Sequence, residues 1–164
     1  MDNDQPLLLI AERDPFMRNV LAQTLEKHFE LEFIEDGAAA LKRVKARSPA
    51  LVILEVLLPT LDGFQVCQQI KNDPATRHVP VLFFTLLLAE ERAAQVGADG
   101  FLLKPLRRDV LLETIHRLLA DVPGGKGEKT DGTHSHSRTK PRWHYERGPA
   151  ATQHSAHQRR AGQR

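Results

Sequence analysis

Residues 51–63 read LVILEVLLPTLDG, and this segment indicates the architecture more strongly than any other part of the chain. Its first four residues are all apolar, which is typical of a central strand that helices cover on both faces. Glu55 follows this run at once, and a loop containing Pro59 then leads to Asp62 and Gly63. The segment predicts a buried strand, a loop that begins with a carboxylate, and a helix that begins at Gly63.

Short apolar runs alternate with helix-period segments along most of the chain, which predicts an α/β protein with a mostly parallel sheet. The predicted strands are residues 6–11, 31–35, 50–56, 79–85 and 100–103. The predicted helices begin at Asp14-Pro15, follow Asp36-Gly37, span 63–72, end at Gly97 and span 107–120. A doubly wound five-stranded sheet of this kind has a crevice at the carboxyl ends of its strands, where a functional site is expected.

Polar and charged side chains stand at this edge of the predicted sheet. They are Glu12 and Arg13 after the first strand, Glu55 in the third, Thr85 closing the fourth, and Lys104 after the fifth. Such groups at one edge of an otherwise apolar sheet are difficult to explain as packing. They are therefore the candidate functional residues. An unrelated hydrolase is not predicted, because no serine or cysteine nucleophile ends a strand beside a histidine.

The spacing of several features resembles the receiver domain of bacterial response regulators over about residues 6–120. The Glu55 loop carries Pro four residues after the carboxylate and Asp-Gly seven and eight residues after it, as does the family's phospho-acceptor loop. Further matches are Thr85 at a strand end, the triplet 97–99, Phe101 and Lys104-Pro105. The resemblance implies the flavodoxin-like receiver fold with strand order 2-1-3-4-5. It also implies a non-enzymatic receiver of two-component or phosphorelay signalling, and a stand-alone receiver is expected because the sequence shows no separate output domain.

The resemblance implies a role for each residue of the site. Receivers accept a phosphoryl group from a histidine kinase onto an aspartate at the position of Glu55. The Mg²⁺ that assists the transfer is held by acidic residues at the positions of Glu12 and Arg13. The hydroxyl at Thr85 and the ammonium at Lys104 then contact the phosphoryl oxygens.

Two of these positions depart from the family's chemistry. Glu55 is longer than aspartate by one methylene, about 1.5 Å, and Arg13 replaces a metal ligand with a permanent positive charge. We expect the two changes to compensate, with Arg13 standing in for Mg²⁺ and pairing with Glu55 or Glu12. The longer Glu55 would then reach Thr85 and Lys104 as a phosphorylated aspartate would. This hypothesis predicts no cofactor and a phosphorylation-independent module that acts by protein–protein contact.

Several alternatives stay open at this point. Arg13 as a solvated loop residue is one, and a Glu55 that still takes up phosphate or responds to metal is another. The hydroxyl of Thr85 is equally well explained by a bond to backbone, and Phe101, at the family's switch position, is equally well a core aromatic. Asp62-Gly63 is expected to serve the turn into the helix rather than chemistry.

Other features bear on access and output. By resemblance the Lys104-Pro105 bond is cis. Leu86 stands where receivers usually have a small residue, so access to the pocket is expected to be obstructed. The interval from Thr85 to Gly97 is about three residues shorter than is usual in the family. The face of the fourth helix, fifth strand and fifth helix, which meets partners in receivers, is therefore expected to be remodelled. It is also the candidate face for a homodimer.

Charge is distributed unevenly along the chain. Residues 1–123 carry 14 basic and 18 acidic residues, whereas residues 124–164 carry 9 and 3. A uniformly basic nucleic-acid-binding domain is therefore not predicted. The one cysteine, Cys67, excludes an intramolecular disulfide and fits a reducing compartment. Because the N-terminus is acidic and the first apolar run is short, a cytoplasmic protein without a membrane span is expected.

The division predicted from these observations is a receiver domain at 1–123 and a basic tail at 124–164. The tail contains no Val, Ile, Leu, Met or Phe, so it is predicted to be disordered. Its segment 140–145, KPRWHY, interleaves basic and aromatic residues, a pattern that is able to bind nucleic acid through phosphate contacts and base stacking. A solvated extension without a specific role is the alternative.

Overall fold

The structure, a computed structural model, describes residues 4–122. Within this part of the chain one parallel sheet is formed by β1 (Leu7–Ala11), β2 (Glu30–Ile34), β3 (Leu51–Leu54), β4 (Val81–Thr85) and β5 (Gly100–Leu103). The helices that connect and follow the strands are α1 (Pro15–Leu25), α2 (Gly37–Arg47), α3 (Gly63–Asn72), α4 (Glu90–Gln95) and α5 (Arg108–Ala120). The strand order is β2-β1-β3-β4-β5, which confirms the predicted doubly wound fold. The predicted tail lies outside the described residues.

The core lies on both faces of the sheet, as the continuous apolar runs predicted. In β3, Leu51 and Ile53 belong to a buried cluster with residues of α1 and α5. Their neighbours Val52 and Leu54 belong to a second cluster with residues of α2, α3 and α4. Since successive side chains of a strand point to opposite faces, a strand covered on both sides is apolar at every position. No helix among residues 4–122 is long and apolar enough to cross a membrane.

Three helices begin at an aspartate that follows a strand or its loop. Asp14 accepts a hydrogen bond from the N–H of Phe16, and Asp36 accepts one from the N–H of Ala39. Asp62 forms a reciprocal capping box with Gln65 at the start of α3. Each carboxylate satisfies a backbone N–H that has no partner within its helix. The predicted starts of α1, α2 and α3 are thus confirmed, including the role of Asp62 and Gly63 in the turn.

Two strands differ from the prediction by two residues at one end, for physical reasons. β3 ends at Leu54 rather than at residue 56, because the N–H groups of Val56 and Leu57 donate to the side chain of Glu55. β4 begins at Val81 rather than at residue 79, since Pro80 has no N–H to donate to a ladder.

The loop between β3 and α3 is tied to the start of α2. The N–H of Gly37 donates to the carbonyl of Pro59 at 3.0 Å, and the hydroxyl of Thr60 donates to Asp36. Gly37 is required here because a Cβ at this position would lie 1.8 Å from the carbonyl oxygen of Leu61. These contacts fix the segment that immediately follows Glu55.

Candidate functional site

Glu55 is a buried carboxylate at the carboxyl end of the central strand. Its backbone N–H donates to the carbonyl of Ala11 at 2.9 Å, which keeps the residue in register with β1. The residue is 7% exposed. An ionised carboxylate removed from water to this extent needs partners for both of its oxygens. The site is therefore defined by the groups that supply those partners.

Both oxygens of Glu55 are engaged. Oε1 accepts from the Thr85 hydroxyl at 2.6 Å and from the N–H groups of Val56 at 2.6 Å and Leu57 at 3.2 Å. Oε2 accepts from Nζ of Lys104 at 2.7 Å. The expected reach of Glu55 to Thr85 and Lys104 is thus present. Thr85 is oriented in turn, since its oxygen accepts from the N–H of Leu87 at 3.3 Å.

Lys104 bridges two carboxylates across the crevice. Its Nζ lies 2.7 Å from Oε2 of Glu55 and 2.7 Å from Oε2 of Glu12. The side chain is 8% exposed, and the ammonium lies 5.6 Å from the centre of the Phe84 ring. The N–H of Lys104 donates to the carbonyl of Thr85 at 2.8 Å, so β4 sets the position of the residue. The following bond to Pro105 is cis, as expected.

Glu12 is the third charged member of the site and is 3% exposed. Its Oε1 accepts from the N–H of Asp14 at 2.9 Å, which holds the carboxylate over the start of α1. Its backbone carbonyl accepts from the guanidinium of Arg18 at 3.5 Å, and Arg18 also forms an ion pair with Glu35. The carboxylate is thereby fixed on one side by backbone and on the other by Lys104.

The pKa values of the site follow from burial and pairing. Burial raises the pKa of Glu55, but the hydrogen bonds from Lys104 and Thr85, the positive charge of Lys104 and the N–H of Leu57 together outweigh it, so the net pKa is lowered. Burial lowers the pKa of Lys104, and the bonds to Glu12 and Glu55 with their negative charges outweigh it, so the net pKa is raised. Both groups are therefore charged at neutral pH.

Arg13 does not take the predicted position. Its side chain is exposed, and it forms no ion pair with any residue of the described range 4–122. Glu12 is buried at the end of β1, whereas Asp14 is exposed and caps α1. Arg13 lies between these two residues and is exposed at the surface. The predicted pairing of Arg13 with Glu55 or Glu12 is therefore wrong, and the cation between the two carboxylates is Lys104. The alternative of a solvated loop residue is the observed one.

The residues of the site do not fit the Mg²⁺ that the family implies. Mg²⁺ requires oxygen ligands in near-octahedral geometry, and position 13 supplies a guanidinium instead. The carboxylates of Glu12 and Glu55 are both committed to the ammonium of Lys104. Across the described residues, acidic, histidine and cysteine side chains nowhere form a group of three that would hold a metal ion.

The remaining predicted residues lie around this centre. Phe101 is buried within the core cluster on the α2–α4 face, which agrees with the packing interpretation, and its role as a switch stays a prediction. Leu86 follows Thr85 and is 72% exposed, so its effect on access to the pocket also stays a prediction. Pro59 lies in the loop that is tied to Gly37.

The backbone contribution to the site was not predictable from the sequence pattern. The N–H groups of Val56 and Leu57 carry no side-chain signature, and their role arises only because Glu55 is long enough to fold back onto them. The pattern also indicated only a helix start at Asp36 and Gly37. One feature of the sequence hinted at the close approach of Gly37 to the Glu55 loop. Gly37 stands at the start of a predicted helix, where alanine would be the better helix former.

Comparison with known proteins places this geometry in a family. Residues 8–116 match the family described as response regulator receiver domain. The chain is 31% identical over 116 residues to the chemotaxis protein CheY of Halobacterium salinarum, and the match covers 68% of this chain and 95% of CheY. It is 33% identical over 109 residues to the response regulator PleD of Caulobacter vibrioides, covering 65% of this chain and 24% of PleD.

A solved structure gives the same result. The signal receiver domain of a signal transduction histidine kinase from Syntrophus aciditrophicus is 30% identical, with a TM-score of 0.68 over 76% of this chain and 98% of that domain. The chain thus spans nearly all of CheY but about a quarter of PleD. The family match over most of the chain, together with these relatives, shows that the chain belongs to the response regulator receiver domain family of two-component signalling.

Proposed function

We propose that this chain is a phosphorylation-independent receiver that signals by protein–protein contact, with Glu55 in place of a phosphorylated aspartate. The observation that carries the proposal is the set of partners of Glu55. By resemblance, the groups at Thr85 and Lys104 contact the phosphoryl oxygens of a modified receiver. Here the same hydroxyl and ammonium bind the carboxylate of Glu55, at 2.6 Å and 2.7 Å.

The charge balance of the site supports a role without metal. Two buried carboxylates within reach of one another would repel, and a divalent cation relieves such repulsion in receivers by resemblance. Lys104 lies within 2.7 Å of both Glu12 and Glu55 and supplies a resident positive charge. Lys104 therefore offsets part of the repulsion between the two carboxylates, and the proposed site uses neither Mg²⁺ nor a phosphoryl group.

A receiver that is not switched by phosphorylation can signal through the proteins that bind to it. We propose protein partners, either a histidine kinase or a downstream signalling protein, and no enzymatic activity of its own. The face of α4, β5 and α5, through which receivers meet partners by resemblance, is the expected contact surface. α4 has only six residues here, so this face presents a shortened helix to the partner.

Phosphoryl transfer from acetyl phosphate tests the proposal directly. The full chain and the double variant Arg13→Asp/Glu55→Asp are incubated with Mg²⁺ and acetyl phosphate, and intact mass is measured. In the variant the carboxylate of the introduced aspartate at position 55 attacks phosphorus and acetate leaves, so a phosphoryl adduct is expected. The unsubstituted chain is expected to form none. An adduct on Glu55 of the unsubstituted chain would show that it is a working receiver and would contradict the proposal.

A further inference from the structure

The large apolar side chains that the described residues leave exposed are concentrated at one edge of the molecule. Phe16 and Leu86 are each 72% exposed, and Leu88 is 87% exposed. Leu57 and Leu87 complete the set. Phe16 lies in the first turn of α1, Leu57 in the loop after β3, and the other three in the loop after β4. We call these five residues the carboxyl-edge patch.

The topology places the parts of the patch side by side. β1, β3 and β4 are consecutive in the sheet, and neighbouring strands lie about 4.8 Å apart, so the loops that follow them begin within about 10 Å. Phe16 therefore lies at one end of the patch, Leu57 in the middle, and Leu86–Leu88 at the other end. Apolar groups gathered in this way mark an interaction surface, whereas singly scattered ones do not.

The two ends of the patch carry opposite charges that have no partner within residues 4–122. Arg13 adjoins the Phe16 end, is exposed and forms no ion pair in that range. Glu90 and Glu91 adjoin the Leu88 end, at the start of α4, and also form no ion pair there. An apolar strip with a cation at one end and anions at the other is complementary to a copy of itself turned by 180°.

We propose that the carboxyl-edge patch binds a second copy of this chain around a two-fold axis that passes near Leu57. In this arrangement the Phe16 end of one copy packs on Leu86–Leu88 of the other. Arg13 of each copy then faces Glu90 and Glu91 of the other copy, so this charge contact occurs twice in the dimer. The dimer covers the mouth of the Glu55 site and the start of α4, and it leaves α5 free. The proposal does not depend on the state of Glu55.

Substitutions that reverse a charge test this arrangement more specifically than substitutions that remove an apolar side chain. The full chain is studied by sedimentation velocity over the micromolar range, with EDTA present so that no new metal site forms at position 13. Arg13→Glu and Glu91→Arg each bring like charges together twice per dimer, and each is expected to raise the dimer dissociation constant roughly tenfold or more. The double variant Arg13→Glu/Glu91→Arg restores opposite charges and is expected to recover most of the lost affinity.

Two further variants complete the test. Leu88→Glu alters a side chain that makes little contact within its own copy, so it is expected to abolish the dimer and to leave the circular dichroism spectrum unchanged. Glu113→Arg makes the same charge change on the exposed surface of α5 and is expected to have no effect. A monomeric unsubstituted chain would overturn the proposal. So would a dimer that Glu113→Arg dissociates and that Leu88→Glu and the Arg13 variant leave intact, because the interface would then lie on α5.

Discussion

The extra methylene of Glu55 lets one carboxylate reach a hydroxyl, an ammonium and two backbone N–H groups from the end of β3. Thr85 and Lys104 arrive from the next two strands. An aspartate at this position would end about 1.5 Å short of the same groups. At the scale of single residues, the site is defined by this reach and by the one ammonium shared between Glu55 and Glu12.

Lys104→Met is expected to lower the free energy of unfolding by about 3–5 kcal/mol. Removal of the ammonium leaves two carboxylates, both buried, without their shared cation. Urea unfolding followed by circular dichroism measures the change. Lys42→Met is the control, because Lys42 is exposed and forms no ion pair within the described residues, and it is expected to change stability by less than about 0.5 kcal/mol. Equal effects of the two substitutions would contradict the buried triad.

The pH dependence of stability follows from the direction of the Glu55 shift. Its folded-state pKa is lowered, so its contribution is complete above the ordinary glutamate pKa, about 4.3, and is lost as the pH falls through the lower folded value. Glu55→Gln is expected to cost about 2 kcal/mol at pH 7. The difference between the chain and this variant is expected to shrink as the pH falls from the ordinary glutamate pKa through the lower folded-state pKa. A difference that grows on acidification would contradict the assigned direction.

At the scale of elements, the loop between β3 and α3 and the start of α2 behave as one unit. Gly37 allows the two backbones to touch, and Asp36 both caps α2 and accepts from Thr60. Thr60 has a φ of 72°, which is unusual for a β-branched residue and is held in place by this bond. The loop therefore has little freedom to move Glu55, and this restraint comes from the start of α2, the helix that precedes β3 in the sequence.

Gly37→Ala is expected to lower the free energy of unfolding by about 3 kcal/mol or more, because the new Cβ would lie 1.8 Å from the Leu61 carbonyl oxygen. The amide resonances of Val56 and Leu57 are expected to shift as the loop is displaced. Ala39→Gly, in the same helix turn, is the control and is expected to cost about 1 kcal/mol. A Gly37→Ala variant as stable as this control would show that the loop and α2 are not clamped.

Element boundaries show how far the sequence predicts the fold. The starts of α1, α2 and α3 were predictable because Asp14, Asp36 and Asp62 are helix caps that can be recognised locally. The end of β3 was not, because it depends on the Glu55 side chain, which takes the N–H groups of the next two residues. The spacing of apolar residues does not reveal the end of a strand when that end is determined by a side chain.

At the scale of the whole molecule, the sheet order brings distant residues to one edge. Glu12, Glu55 and Lys104 are far apart in the sequence, and the strands that precede them, β1, β3 and β5, lie one to three positions apart in the sheet. The set of site residues was therefore predictable from strand order and family motifs. Their pairing was not, because it depends on which way consecutive residues turn at the end of β1. Glu12 turns inward and Arg13 outward, so the lysine and not the arginine became the central cation.

The central claim is that the site is complete without metal or phosphoryl group. Backbone amide NMR of the full chain, titrated with Mg²⁺ and then with beryllofluoride as a phosphoryl mimic, tests it most directly, with Arg13→Asp/Glu55→Asp as the matched variant. The unsubstituted chain is expected to show no saturable shift at Glu12, Val56, Thr85 or Lys104, whereas the variant is expected to show saturable shifts at these positions. Saturable shifts at these amides in the unsubstituted chain would contradict the claim and identify a receiver that still binds metal and phosphate.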